Sequence, residues 1–410
     1  MRLVSIPENE YDNYRLDVIF NGYKWDPQYM DNNTIAKSAL IITKDENDEL
    51  ESLTEKLYHE TFQAELMINN NLDFAKSLFL PRKINKEITK MGNYQADKHI
   101  RLMRFDFHPT IEGKWAISEV NSDVPGGFAE ASKMPEIACK LFIEQNYTYK
   151  DFGDIITKTI SNKVKPGGKI MFVHCTSFSD DRQVMQFLGD KVKDLGFDVI
   201  YAAADHLRFI NRKAISVLEG NEGEIDAIIR FTPLEWLINI KPKRWSGYFD
   251  TVTTSCNHSI AIFAQTKRFP LIWETLEKHG ADLSAWRQLL PETLEVKDVK
   301  IHSGETGEYI YKPVYGRVGE GISIKEACKG DEYSRILKDV RKNPKKYMAQ
   351  KKFNSKELFD EKGKGFHVCL GSFCVEGKAA GYYARISDKP RIDSGAADIP
   401  VLIEGVQNDQ

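Results

Sequence analysis

From Lys44 to Ile68 the chain reads KDENDELESLTEKLYHETFQAELMI, with apolar residues recurring at helical intervals, and NNNLDFAKSLFLP closes on a proline stop. That pattern predicts a mainly helical N-terminal region over residues 1–95. A different rhythm begins at Arg101, where RLMRFDFHP and KWAISEVN alternate as strands on either side of Glu112-Gly113, a turn-forming pair. Residues 96–165 are therefore built around a hairpin. From Gly167 the chain runs KIMFVHCTSF, then DDRQVMQFLGDKVKDLG, then FDVIYAAA. A buried strand, an amphipathic helix closed by glycine and a second strand make one unit of an α/β layer.

EIDAIIRFTPLEWL adds a strand running into a helix and SIAIFAQTKRFPLIWETLEKHG a helical stretch, completing a central α/β subdomain over 166–290. A last region, 291–410, opens near Pro291. YIYKPVYGRVGEGISI reads as a strand and a loop carrying Gly316, Gly319 and Gly321, followed by a basic helix and the strand KYMAQKKF. KGFHVCLGSFCVEGKAAGYYARIS then reads as two antiparallel strands turning at Glu376-Gly377, and the closing GVQNDQ is expected to fray.

Composition narrows what such a chain does. With 410 residues, 41% hydrophobic and 29% charged, it is a globular protein of more than one subdomain. Its net charge of -3 sets up no field that would gather nucleic acid or an anionic membrane. No apolar leader and no run of 18 apolar residues occurs, so a cytoplasmic location is expected. The 6 cysteines form no C-x-x-C pair, which argues against a zinc site or a disulfide framework.

Chemistry is suggested first by the hairpin. If Glu112 and Gly113 form a two-residue loop, Asp106 falls opposite Glu119 and Arg104 opposite Asn121, with all four side chains on one face. Opposed carboxylates would repel by about 3 kcal/mol at about 5 Å with an effective dielectric near 20. Arg104 offers partial compensation as part of a surface charge cluster. The alternative is a divalent cation: Asp106, Glu119 and the Asn121 amide are the oxygen donors that magnesium takes together with phosphate, and Arg104 would then sit beside that phosphate.

Arg104, Asp106, Glu119, Asn121, Pro125 and Gly126 together resemble the magnesium signature of the ATP-grasp ligases. Here the glycine loop follows this signature instead of preceding it, an order that resembles the synthetase domain of glutathionylspermidine synthase and its relatives. IIRFTPLEWL, KPVYGRVGEGI and GSFCVEGKAAGYYAR are similar to three further family segments, in the expected order, so the likeness spans about residues 95–405. No amidase domain accompanies them.

The resemblance implies an α/β fold of the α+β ATP-grasp type, permuted, with a central pre-ATP-grasp-like subdomain. It also implies an ATP- and magnesium-dependent ligase that joins a carboxylate to an amine through an acyl phosphate, releasing ADP and phosphate. By the same resemblance Lys312 touches ATP phosphate, and Arg317, between Gly316 and Gly319, stabilises the transferring phosphoryl group and the acyl intermediate. Arg385 grips the acceptor carboxylate or its phosphorylated form. Gln350 meets adenine, with an exposed edge peptide over Met348 to Lys351 mirroring the base, and Lys267 reaches the phosphates or adenine. Gly321 completes the loop.

Two other functions fit the same residues, namely a nucleotide-binding sensor or scaffold that has lost the chemistry, and a small-molecule kinase. Retention of Arg317 and Arg385 speaks against the first. The acid and amine are left open among a free amino acid, a small peptide, a polyamine and an aminoacyl group on a carrier protein, and the N-terminal region is expected to be structural. In Ser179-Asp180-Asp181-Arg182, the arginine would turn a loop that is acidic in the family toward a carboxylate ligand. Asp123 is a further candidate charge beside the metal site, Asp393 has no assigned role, and Trp236 and Trp273 are expected to pack in the core or between subdomains.

Overall fold

Thr43 and Glu46 bond reciprocally, each side chain to the other's backbone N–H, at 3.2 and 2.9 Å, and this capping box starts the helix Lys44–Asn70. One stripe of that helix, including Leu50, Leu57, Ala64 and Ile68, is fully buried and packs in one core with Phe105 and Phe107 of the hairpin and with Trp273 and Trp286. Glu65, also buried, takes a fork of two hydrogen bonds from Arg101, at 3.0 and 2.6 Å. The helix is thus fastened directly to the segment that leads into the hairpin. The computed structural model describes residues 1–301, 308–317 and 319–405, so all but the first residue of the GVQNDQ tail lies outside the described residues.

The N-terminal region is less helical than its pattern predicts. Arg2–Ser5 pairs antiparallel with Ser38–Ile42, which pairs in parallel with Val401–Ile403 near the other end of the chain. SALII is a short, wholly buried run of the kind that periodicity cannot distinguish from helix. The first 42 residues therefore close a sheet with the last strand.

The main sheet contains the hairpin. Trp115–Asn121, Leu102–Pro109, Gly365–Val375, Lys378–Ser387 and Ala397–Ile399 lie in that order, all antiparallel, and Glu357–Phe359 also pairs with Gly365–Val375. Strand Leu102–Pro109 is thereby flanked on one side by its hairpin partner and on the other by the GSF segment. Beside it stands a parallel sheet in the order Thr254–Cys256, Ala227–Arg230, Lys169–Val173 and Asp198–Ala202. Helix Ser179–Asp194 connects two of its strands, as expected of the α/β unit. A third sheet sets Tyr347–Lys351 between Thr293–Glu295 and Tyr309–Pro313. Among the described residues no helix is long and apolar enough to cross a membrane.

The hairpin turn differs from the two-residue loop in one respect that matters for the site. Thr110 pairs with Lys114, leaving the three-residue loop Ile111-Glu112-Gly113 with Gly113 at φ +71°. Near the turn Phe107 stands opposite Ile117, yet Arg104 still meets Asn121, because the register shifts between Phe105 and Phe107. This irregularity takes up the extra residue. Asp106 and Glu119 consequently never form a directly opposed pair.

Candidate active site

Each carboxylate of the hairpin has its own cation. Asp106 accepts from Arg104 Nε and Nη2 at 2.7 and 3.0 Å and from Asn121 Nδ2 at 3.0 Å. Glu119 pairs with Lys267 Nζ at 2.7 Å, and the same ammonium donates to the Gly316 carbonyl at 2.7 Å. Burial pushes the Glu119 carboxyl upward, but Lys267, Lys312 and Arg104 more than offset it and hold the group below its ordinary value. The charge that the sequence left uncompensated is thus met twice over, by two cations from different segments.

Gly371 explains the close approach of the neighbouring strand. It pairs with Asp106, and a Cβ there would lie 2.7 Å from Arg104 Cδ and 3.0 Å from Asp106 Oδ1. Only a residue without a side chain leaves the Arg104–Asp106 fork its space. Arg104 is further fixed by donating to the Gly126 carbonyl at 2.6 Å and by lying over the Tyr383 ring, 5.0 Å from its centroid.

Two adjoining cavities share Ser118, Glu119 and Lys312. The first is a narrow slot between Val120, Ala264, Phe269, Trp286, Leu290 and Met348, with Gln350 in its wall. Gln350 donates to Thr293 Oγ1 at 3.1 Å, while its Oε1 is buried without a partner. The sequence suggested an exposed edge peptide here, and the structure corrects this. Tyr347–Lys351 is the middle strand of its sheet, with backbone groups committed to neighbours on both sides, so the Gln350 side chain is what the slot receives. Lys351 stands apart: its side chain is half exposed and pairs with Glu308 at 3.0 Å.

The second cavity is a cleft of about 670 Å³ lined by Arg104, Asp106, Asn121, Lys312, Arg317, Gly319 and Arg385 among others. Lys312 donates to the Ser118 carbonyl at 3.2 Å, and burial brings its ammonium down to about 8, against the opposing pull of Glu119. Arg317 pairs with Glu235 at 2.7 Å and lies over Trp236, 5.7 Å from the ring centroid. Trp236 is half exposed here and not interior, whereas Trp273 is core as expected. Arg385 donates through Nη2 to the carbonyls of Asp393 and Ala396 at 2.6 and 3.2 Å, and its Nε lacks a hydrogen bond, 3.6 Å from Asp398. Asp393 thus serves, by its carbonyl, to aim Arg385. Gly321 lies in the same turn as Gly319, beside Pro313, and a Cβ at Gly319 would meet the Ile392 carbonyl at 2.4 Å, which holds this loop against the wall that carries Arg385.

Two sequence expectations are corrected in this cleft. Of Asp180, Asp181 and Arg182, the two acids line it and Arg182 does not, since they occupy successive positions in the first turn of a helix and only part of that turn faces inward. With Asp180 and Asp181 lining it and Arg182 turned away, this end of the cleft carries carboxyl groups, and burial pushes that of Asp181 up to about 6. Asp123 is not a metal neighbour. It is fully buried in a two-point pair with Arg230 and also accepts from the Leu234 backbone at 3.0 Å.

His108 and Lys24, which sequence reasoning missed, line the cleft too, and so does Cys369. His108 bonds to Ser118 Oγ at 3.1 Å, and burial brings its imidazole down to about 4, so it is neutral. Lys24 spans Glu130 and Asp398 at 2.6 and 2.8 Å. Cys369 faces Arg385 in register, and burial holds its thiol well above its ordinary value, which leaves no nucleophile there.

Among the described residues no three His, Cys, Asp or Glu side chains are gathered around one point as a metal cage. Asp106, Glu119 and Asn121 offer two carboxylates and an amide oxygen, since Asn121 Nδ2 is already committed to Asp106. That set fits a hard cation that keeps water and phosphate oxygens in its shell, as magnesium does. The buried acceptor Gln350 Oε1, in an apolar slot, fits a flat ring that brings an N–H donor, as adenine does.

A sequence profile described as glutathionylspermidine synthase preATP-grasp matches residues 6–404. Among solved structures, the apo form of a glutathione synthetase-like effector from Globodera pallida superposes with a TM-score of 0.64 at 10% identity, covering 97% of this chain and 98% of that one. A putative gamma-glutamylcysteine synthetase from Methylobacillus flagellatus gives a TM-score of 0.46 at 13% identity, over 85% and 88% of the two chains. No curated protein matches the sequence. The first superposition shows a common fold.

Proposed function

The chain belongs to the glutathionylspermidine synthase preATP-grasp family, and on that premise we propose that it is an ATP- and magnesium-dependent carboxylate–amine ligase, forming an amide through an acyl phosphate. The observation that carries this reading is that the two cavities adjoin. An apolar slot with an unpaired buried acceptor adjoins, along Ser118, Glu119 and Lys312, a cleft lined by oxygen donors and by four arginines, Arg104, Arg317, Arg385 and Arg391. A nucleotide seated with its base at Gln350 extends its phosphates past Lys312 toward Asp106 and Arg317.

The residues then have separable tasks. Gln350 Oε1 accepts from the exocyclic amine of adenine, and Lys312 and Lys267 hold phosphate oxygens. Asp106, Glu119 and Asn121 Oδ1 would hold magnesium, which neutralises phosphate charge when bound. Arg104 and Lys267, which pair with Asp106 and Glu119 here, would turn to phosphate oxygens once those carboxylates are engaged. Arg385, whose Nε carries no hydrogen bond, presents its guanidinium to the acid's carboxylate. A carboxylate oxygen so held attacks the γ-phosphorus and ADP departs. Arg317 stabilises the charge on the group in transit. The amine then attacks the carbonyl carbon, phosphate leaves, and the nitrogen gives up a proton.

The low ammonium of Lys312 gives a pH prediction. In the free protein the group is charged below about 8 and neutral above it, whereas phosphate nearby favours the charged form. Nucleotide binding at pH 8.5 is therefore expected to take up a proton. Calorimetry in buffers of different ionisation heat reads this directly, and a heat independent of buffer contradicts it.

The proposal is tested by incubating the protein with magnesium ATP and pools of amino acids, small peptides and polyamines. ADP should appear with a new mass equal to acid plus amine minus water. A stable phosphorylated acceptor in place of the amide would mark a kinase, and nucleotide binding without any product a sensor.

A further inference from the structure

Away from the slot, the cleft ends in a patch whose charges do not balance. Lys24 sits between Glu130 and Asp398 at 2.6 and 2.8 Å, and Asp26 and Asp180 line the same end. Glu130 and Asp398 thus share one ammonium, with two further carboxylates in the same lining and the guanidinium of Arg385 3.6 Å from Asp398. Glu130 is 6% exposed, and its Oε2 is buried with no hydrogen-bond partner. An ionised oxygen in that position is costly unless a donor reaches it.

This end is physically continuous with the magnesium donors. Asp106 binds Arg104, Arg104 lies over the Tyr383 ring, Tyr383 donates to Asp398 at 2.8 Å, and Asp398 binds Lys24. Along that wall two unmet hydrogen-bonding atoms flank Asp398: the acceptor Glu130 Oε2, and the donor Arg385 Nε. Their signs are opposite. A ligand that completes both carries an ammonium and a carboxylate.

We infer that the cleft binds the acid substrate as an amino acid zwitterion, its ammonium on Glu130 Oε2 and its carboxylate on Arg385. This rests on the ligase reading only in identifying that carboxylate as the one activated. It also gives the acidic patch a chemical purpose. An amino group held on Glu130 keeps its proton and its lone pair is not available, so the bound amino acid does not attack its own kind and the amide forms with a different amine. Lys24, on a separate segment, neutralises the second Glu130 oxygen and Asp398, and leaves room for one ammonium.

The experiment is calorimetric binding, without nucleotide, of the common amino acids one at a time to the full-length protein, each beside its N-acetyl form and its descarboxy amine. At least one amino acid should bind, with both truncated forms weaker by about 10- to 100-fold. Glu130→Gln should erase the advantage over the N-acetyl form and leave that over the descarboxy amine. An amine that binds as tightly as its parent amino acid overturns the inference, as does an equally tight N-acetyl form. So does silence toward every amino acid in protein that binds magnesium ATP. Should the glutamine variant fail to fold, the analogues decide the matter on the unaltered protein. Amino acid binding with no ADP in any mixture would sink the ligase reading and leave this site standing; ADP formed only with acids that lack an amino group would do the reverse.

Discussion

Arg317→Ala is expected to lower ligation by about a thousandfold while leaving nucleotide affinity largely unchanged. The side chain lies in the glycine loop, held over Trp236 by Glu235 at 2.7 Å, and lines the cleft rather than the slot. Its charge is thus placed to meet the phosphoryl group and not the base. Removing it takes away an interaction made mainly in the transition state, which lowers turnover without lowering affinity. Arg317→Lys should recover only part of the loss, because an ammonium cannot present a planar fork. Single-turnover rates and nucleotide titrations of both variants separate the two effects. Unchanged turnover in the alanine variant would remove Arg317 from the chemistry.

Asp123→Ala is expected to cost about 4 kcal/mol of stability. Asp123 and Arg230 are both fully buried, and the carboxylate also caps Leu234, so the substitution strands a guanidinium in the interior. Burial alone would push the Asp123 carboxyl up, but Arg230 pulls it below its ordinary value. The sign follows: this stabilisation is full above the ordinary carboxylate range and is lost as pH falls through the lowered value. The pair also joins the segment after the hairpin to the one carrying Glu235 and Trp236, so the site should loosen with it. Chemical denaturation at pH 7 measures the loss. In the double variant Asp123→Leu with Arg230→Met, much of it should return. A single-variant loss below about 1 kcal/mol would show that the pair does little for the fold.

Much of this site was legible in the sequence because strand alternation is a strong constraint. The shared face of Arg104 and Asp106 follows from it, and the tight turn at Glu376 and Gly377, both of which adopt positive φ, was marked by its turn residues. The three-residue loop was not legible, since Ile111-Glu112-Gly113 carries the same turn residues as a two-residue loop, and the later register shift hides the difference at Arg104. The middle position of Tyr347–Lys351 depends on Thr293–Glu295, a strand too short to leave a pattern. The acidic end of the cleft was wholly hidden. Lys24, Glu130 and Asp398 meet only because the chain's first strands close a sheet with its last, and no local periodicity reports a contact across such distances.

Amide formation through an acyl phosphate is tested most directly with an acid labelled with ¹⁸O in its carboxylate. Once the pools have identified the acid and amine, the reaction with magnesium ATP is run and the phosphate released is examined by mass spectrometry. One ¹⁸O should appear in each phosphate, in step with ADP and amide, because the oxygen that attacked phosphorus departs with it. Unlabelled phosphate accompanying the same amide, or release of AMP and pyrophosphate, would contradict that route.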